Sequence, residues 1–262
     1  MIPKAISILL NLILMLVMPL QLIAQTTIAN AIKKNRASLY YPNLVEQFYE
    51  ERGNKLAWIA PDTVKTHAWD AMLLLDCVLH YGLSHDDYHF KQLQYETLHK
   101  LIAQKGTPSE NAQFDVWLTD ATISFMNDLH YGKLNPVYSR IEIDAGTKFK
   151  ADKELSKALR SVDFGSSVEK VQPKSELYFS LQNHMRLLVG QRSGDCYEIP
   201  AALIRKMAIN MERLRWINTT GKHYHLTCIV RQGEVIFYKD IYNQDKKLEK
   251  NLYKANTIPH YN

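Results

Sequence analysis

The chain is poor in glycine and cysteine. Its ten glycines are scattered singly through 262 residues, so it has no glycine-rich loop of the kind that cradles phosphates. It has no Gly-x-Ser-x-Gly elbow, which removes that serine-hydrolase arrangement. Three cysteines cannot build a disulfide-dense scaffold, and an odd count leaves at least one thiol unpaired within a monomer. Charge is close to balanced, with 32 basic and 27 acidic residues for a formal +5. That excess is too mild to imply nucleic acid. Beyond the first 25 residues no long apolar run occurs, so no further membrane span is expected. Internal repeats and low-complexity segments are also missing. What remains is 46% apolar and 23% charged, a globular composition with enough chain for a sizeable core.

Residues 1–25 differ from the rest. Lys4 gives a small positive start, and Ala5 to Val17 is apolar apart from Ser7 and Asn11. Leu22-Ile-Ala24 then stands where a cleavage site would. The order is that of a secretory signal peptide over 1–24, with a mature chain starting near Gln25. The alternative is an uncleaved anchor, since a run of about 19 residues approaches the lower limit for a span. The segment holds no cysteine, so it offers no lipid-acylation site. The expected location is outside the cytoplasm, in the periplasm or cell envelope. Membrane contact is expected only through this segment.

The body reads as helices. Leu44 and Phe48 lie four apart before Gly53, which marks a short amphipathic helix. Val64, Ala68, Met72, Leu75 and Leu79 form the stripe of a helix from about Asp62 to Tyr81, stopped by Gly82. Ser84 is placed to cap the next one, with Asp86 and Asp87 in its first turn. Phe114, Leu118, Ala121, Phe125 and Leu129 share one side of a helix from Glu110 to Tyr131, closed by Gly132 and Pro136. Residues 133–150 read as irregular. Shorter stripes predict helices over Lys153 to Arg160, Ser175 to Val189 and Ala201 to Trp216. The period then changes. His223 to Val230 and Glu234 to Ile241 are rich in β-branched and aromatic residues around Arg231-Gln-Gly233, the pattern of a β-hairpin. The fold class is therefore mainly α: a multi-helix body followed by a C-terminal β-hairpin.

Few residues invite chemistry. A nucleophilic cysteine needs a base within reach. Cys77 falls mid-helix and Cys228 in the first hairpin strand, both expected to be packed. Cys196 falls in a loop, and only His184 or His223 could serve it. His80, His85 and His89 lie close to Asp86 and Asp87. Gly82 interrupts them, however, and the His85–His89 pair lacks the glutamate of a zinc-protease helix. Solvated surface is the better reading, and no metal or cofactor is expected. Asp115, Asp120 and Asp128 share one helix, but paired acid and base roles need a pocket. Trp58 and the pair Tyr40-Tyr41 are the rings expected to be partly exposed.

The heptad Asn210-Met-Glu-Arg-Leu-Arg-Trp216 closely resembles the signature that ends the scaffold domain of the large, YcbB-type murein L,D-transpeptidases. Phe48-Tyr-Glu-Glu-Arg52 with Ala57-Trp58, Tyr81-Gly-Leu83 with Asp87-Tyr88, Leu118-Thr-Asp-Ala121 with Asn127-Asp-Leu129, and Pro173 with Tyr178 and Leu181 resemble further elements of that family in the same order. The likeness spans roughly 37–238. On a helix, Met207, Met211 and Leu214 would point inward, Arg213 and Trp216 would share another face, and Glu212 could pair with a nearby cation.

The resemblance implies a helical scaffold domain over 37–217 and, over 222–262, an incomplete start of a β-rich catalytic domain with its tail. It also exposes two departures. Gly190 to Ile199 is a short loop where many members carry a peptidoglycan-binding module. The family's Ser-His-Gly-Cys site and its upstream His do not occur either, because the only Ser-His here is Ser84-His85, followed by Asp-Asp. No residue carries over as a catalytic residue. Asn210, Met211, Glu212, Arg213, Leu214, Arg215 and Trp216 are thus expected to be structural. The expected protein is an exported, non-catalytic scaffold-domain protein, a truncated remnant or a cell-wall component. Its expected partners are peptidoglycan or a cell-wall enzyme, with no nucleic acid. The alternatives are a transpeptidase fragment whose catalytic half lies downstream or on another chain, and a generic helical interaction protein.

Overall fold

A computed structural model describes residues 27–59, 66–190 and 201–221, together with the backbone of 227–231 and 234–238. The described part is mainly helical. Ten helices follow in order: α1 (27–35), α2 (Pro42–Glu51), α3 (Ala68–Asp76), α4 (Tyr95–Ile102), α5 (Pro108–Tyr131), α6 (Arg140–Gly146), α7 (Ala151–Ala158), α8 (Phe164–Glu169), α9 (Glu176–Gly190) and α10 (Ala201–Thr220). Beyond α10 the backbone of β1 (Thr227–Arg231) pairs antiparallel with that of β2 (Glu234–Tyr238), Ile229 facing Ile236. The rest of the expected hairpin stretch, and the signal segment 1–24, lie outside the described residues. Among the described residues no helix is long and apolar enough to cross a membrane.

The architecture is organised around α5. Its start is well specified: Pro108 occupies the first turn, Thr107 accepts from the Glu110 amide, and the Glu110 side chain accepts from the Thr107 amide. This reciprocal capping box satisfies two otherwise orphaned donors. From Phe114 to Leu129 every residue of α5 is buried, because α2, α3, α4, α7, α8 and α10 pack around it. A helix buried on all sides must hide polar groups as well as apolar ones. Here they are Asp115, Thr119, Asp120, Thr122, Ser124, Asn127 and Asp128. The single apolar stripe read from the sequence is therefore only part of this helix's buried surface.

Three other expectations change, one being that the helix expected after Ser84 is a three-residue 3₁₀ turn over His85–Asp87. The helix expected from Asp62 to Tyr81 is α3 followed by a 3₁₀ turn over Val78–Tyr81, broken at Cys77; Val64 lies outside the described residues. The stretch read as irregular contains α6, which has its own capping box between Ser139 and Glu142. Gly82, at φ +66°, ends the 3₁₀ turn where a Cβ would stand 2.8 Å from Ala208 Cα. Only glycine lets that turn sit against α10 in this conformation.

Candidate functional site

The heptad lies on α10, and it buries charged members as well as apolar ones. Glu212 and Arg215 are fully buried, Arg213 nearly so, and Trp216 is 1% exposed, while Leu214 is only half-buried. This corrects the inward face expected from Met207, Met211 and Leu214 alone, although Met207 and Met211 are indeed buried. The reason is a hydrogen-bonded clamp. Glu212 accepts from Arg215 Nη1 at 3.0 Å, from Trp216 Nε1 at 3.0 Å and from the Leu134 amide at 2.9 Å. Arg215 also donates to the Tyr81 carbonyl and, through Nη2, to Tyr178 Oη at 2.9 Å. Burial opposes its charge, yet Tyr178 and Glu212 more than offset this and hold its pKa above the ordinary arginine value. Three segments distant in sequence are thereby tied to α10: the turn before Gly82, the loop after α5, and α9. Gly132 lets the α5 end approach, since a Cβ there would stand 2.6 Å from Trp216 Nε1 and 2.7 Å from Glu212 Oε1.

The buried carboxylates of α5 do similar work. Asp115 accepts from the amides of Ala57, Trp58 and Ile59 at 2.7, 2.8 and 3.0 Å and from Tyr49 Oη at 2.6 Å. Burial pushes its carboxyl pKa up, against the pull of those donors. Asp120 accepts from the Tyr40 and Tyr41 amides at 2.9 Å each and lies 2.6 Å from His89 Nε2. Asp128 accepts from Tyr88 Oη at 2.8 Å, and burial raises its pKa to about 6. Each carboxylate pins a different segment to the central helix, and none is paired with another as acid and base. Trp58 and Tyr41 are consequently buried, contrary to expectation. Only Tyr40 keeps partial exposure.

One surface feature has the make-up of a binding site. A pocket of about 470 Å³ is lined by Tyr40, His89, Phe90, Lys91, Asp86 and Trp117, among others, within the usual size range of small-molecule sites. Trp117, His89 and Tyr40 in its wall form a column of ring contacts that continues, outside this pocket, to Arg140. Trp117 lies 4.6 Å from His89, His89 stacks on Tyr40 at 4.5 Å and 14°, and Arg140 stands 4.5 Å over the Tyr40 ring. His89 was expected on the solvated surface. It is buried instead, at φ +56°, because Asp120 and the two rings hold it. The sequence reading missed Arg140, Phe90 and Trp117, which come from three separate elements with no shared motif.

The remaining candidates are dispersed. Cys77 is half-buried rather than packed, and burial raises its thiol pKa, which disfavours the nucleophilic thiolate. His85 lies 3.2 Å from Asp76, and His80 is half-buried with its pKa lowered by burial. His184 is exposed beside the Ser180 carbonyl. Cys196 and His223, and the side chain of Cys228, lie outside the described residues. Among the described residues no group of three or more His, Cys, Asp or Glu side chains is placed to hold a metal ion.

Comparison with known families then decides the kinship. Residues 43–185 match the family model for the scaffold domain, which is more than half of the chain. The chain belongs to the scaffold-domain family. The matched part of the scaffold domain runs from α2 into α9 and so holds all three α5 carboxylates and every member of the column except Tyr40. The 210–216 heptad lies beyond it. No curated protein and no solved structure matches the chain.

Proposed function

We propose that this chain is an exported, non-catalytic scaffold protein of the cell envelope, related to the scaffold part of YcbB-type murein L,D-transpeptidases. The observation that carries the reading is the scaffold-domain match over 43–185, extended by the α10 heptad in the order that resemblance requires. The site chemistry agrees with a structural role. Glu212, Arg215 and Trp216 of the heptad are bonded to one another and to the Tyr81, Leu134 and Tyr178 segments. The function is to hold a rigid helical platform outside the cytoplasm, with peptidoglycan or a cell-wall enzyme as partner.

A second reading is favoured by the backbone pairing of β1 and β2 directly after α10. In it, the chain is the scaffold half of an L,D-transpeptidase whose catalytic half is supplied elsewhere. Co-sedimentation with purified peptidoglycan sacculi tests the first reading. The mature protein, starting near Gln25 and recovered from the envelope fraction, should pellet with sacculi or with a cell-wall enzyme bound to them. A protein that keeps Met1 in the cytoplasm and leaves sacculi untouched would contradict it.

A further inference from the structure

The Trp117–His89–Tyr40–Arg140 column ends on a charge that the described part of the molecule leaves unmatched. Arg140 is half-buried at the start of α6 and held by its stacking over Tyr40. Among the described residues no carboxylate lies within 4.0 Å of its guanidinium and no hydrogen bond engages it. Its neighbours are committed elsewhere: Lys133 is paired with Asp87, Asp128 takes the Tyr88 hydroxyl, and Ser139 is held in its capping box with Glu142. Asp128 and Asp87 act on Arg140 only through space.

Arg140 lines a pocket of about 160 Å³ together with Lys133, Tyr138, Leu134 and Ile143. At about 30 Å³ per water, this is room for a charged head group and a few further heavy atoms. A planar guanidinium with free N–H groups matches a carboxylate by two parallel hydrogen bonds, and the gain is larger where water is partly excluded. The carboxylates behind the pocket favour a singly charged ligand over a doubly charged phosphate. Leu134, Ile143 and Tyr138 supply apolar wall for a short aliphatic group beside the charge.

We propose that Arg140 anchors a binding site for the carboxylate of a short aliphatic acid or of a peptide end, received between α6 and the loop after α5. The site does not depend on the transpeptidase kinship and stands or falls separately from it.

The test is nuclear magnetic resonance on the full chain, reading the Arg140 Nε–Hε signal during titration with propionate, N-acetylalanine, propionamide and inorganic phosphate. Propionate should give a saturable shift with a Kd on the order of 1–10 mM, as the few heavy atoms of the ligand allow. Propionamide should give none, and phosphate should bind more weakly. Stronger binding of N-acetylalanine than of propionate identifies a peptide end; the reverse identifies a small free acid. Arg140→Lys should weaken binding about tenfold through loss of the fork, while Lys105→Gln, remote on the surface, should leave it unchanged. The wild-type titration carries the test even where a variant folds poorly. An unsaturable or absent shift, equal binding of propionamide, or tighter binding of phosphate than of propionate would overturn the proposal.

Discussion

Glu212 Oε1 accepts a hydrogen bond from the Leu134 amide at 2.9 Å, joining residues 78 apart in the chain. The same carboxylate holds Trp216 and Arg215. This makes the heptad a clamp that fixes the loop after α5 against α10. Removing one partner of a buried ion pair leaves the other charge uncompensated, at about 3–5 kcal/mol. Glu212→Ala and Arg215→Ala should each lower the unfolding free energy by about that amount in urea titrations. The double variant should cost less than the sum, because the penalty of the orphaned partner disappears. Losses under about 1 kcal/mol would mean that the clamp is not holding the fold.

Gly132 gives an independent check on the same junction. At φ +86° it adopts a conformation that side chains rarely take, and its missing Cβ is what lets Trp216 and Glu212 approach. Gly132→Ala should destabilise by about 3 kcal/mol or more, combining backbone strain with overpacking. Gly165, inside α8, meets only Asp163 at 3.8 Å. Gly165→Ala should therefore be neutral or stabilising by up to about 1 kcal/mol. Melting temperatures of the two variants, compared with the parent, separate the two cases.

Asp128 makes stability depend on pH. Its carboxyl is raised, chiefly by burial, from 3.8 to about 6. Between those values the folded chain holds the proton more tightly than the unfolded one, so stability falls as pH rises through that window. Two units correspond to roughly 3 kcal/mol as an upper figure. Asp128→Asn, which keeps an acceptor for Tyr88, should be less affected by the rise from pH 4 to pH 7 than the parent. Parallel stability curves for the two proteins across that range would refute the assignment.

Much of this was legible in the sequence. The position of α5 follows from its apolar stripe and the Gly132 and Pro136 stop, and the heptad's resemblance points to a scaffold. What was not legible is physical in origin. Asp115, Asp120 and Asp128 read only as acids sharing one helix, because a sequence does not show which distant amides a buried carboxylate will cap. Trp58 and Tyr41 were misplaced for the same reason: their amides are tethered to Asp115 and Asp120. The helices α4 and α8 are short, with two buried apolar residues each, too few to show an extended stripe. The Tyr40–Arg140 stack joins residues 100 positions apart without a motif.

The helical body should stand without the residues after it. The clamp, the α5 carboxylates and the apolar core of the described residues lie between residues 27 and 221. A protein ending at Gly221 should keep its helical circular dichroism and a single cooperative melt, because β1 and β2 alone form only a two-stranded pair, marginal in water. Loss of cooperativity would show that the segment after α10 is part of the core.

The proposed non-catalytic role requires that this scaffold perform no acyl transfer. That chemistry needs a cysteine nucleophile, a histidine base and oxyanion donors together. The direct measurement is incubation of the purified chain with tetrapeptide-containing muropeptides, followed by chromatography of the products. The account predicts no cross-linked or exchanged muropeptide. Cross-linked product that is lost in Cys196→Ala, Cys77→Ala or Cys228→Ala would contradict it.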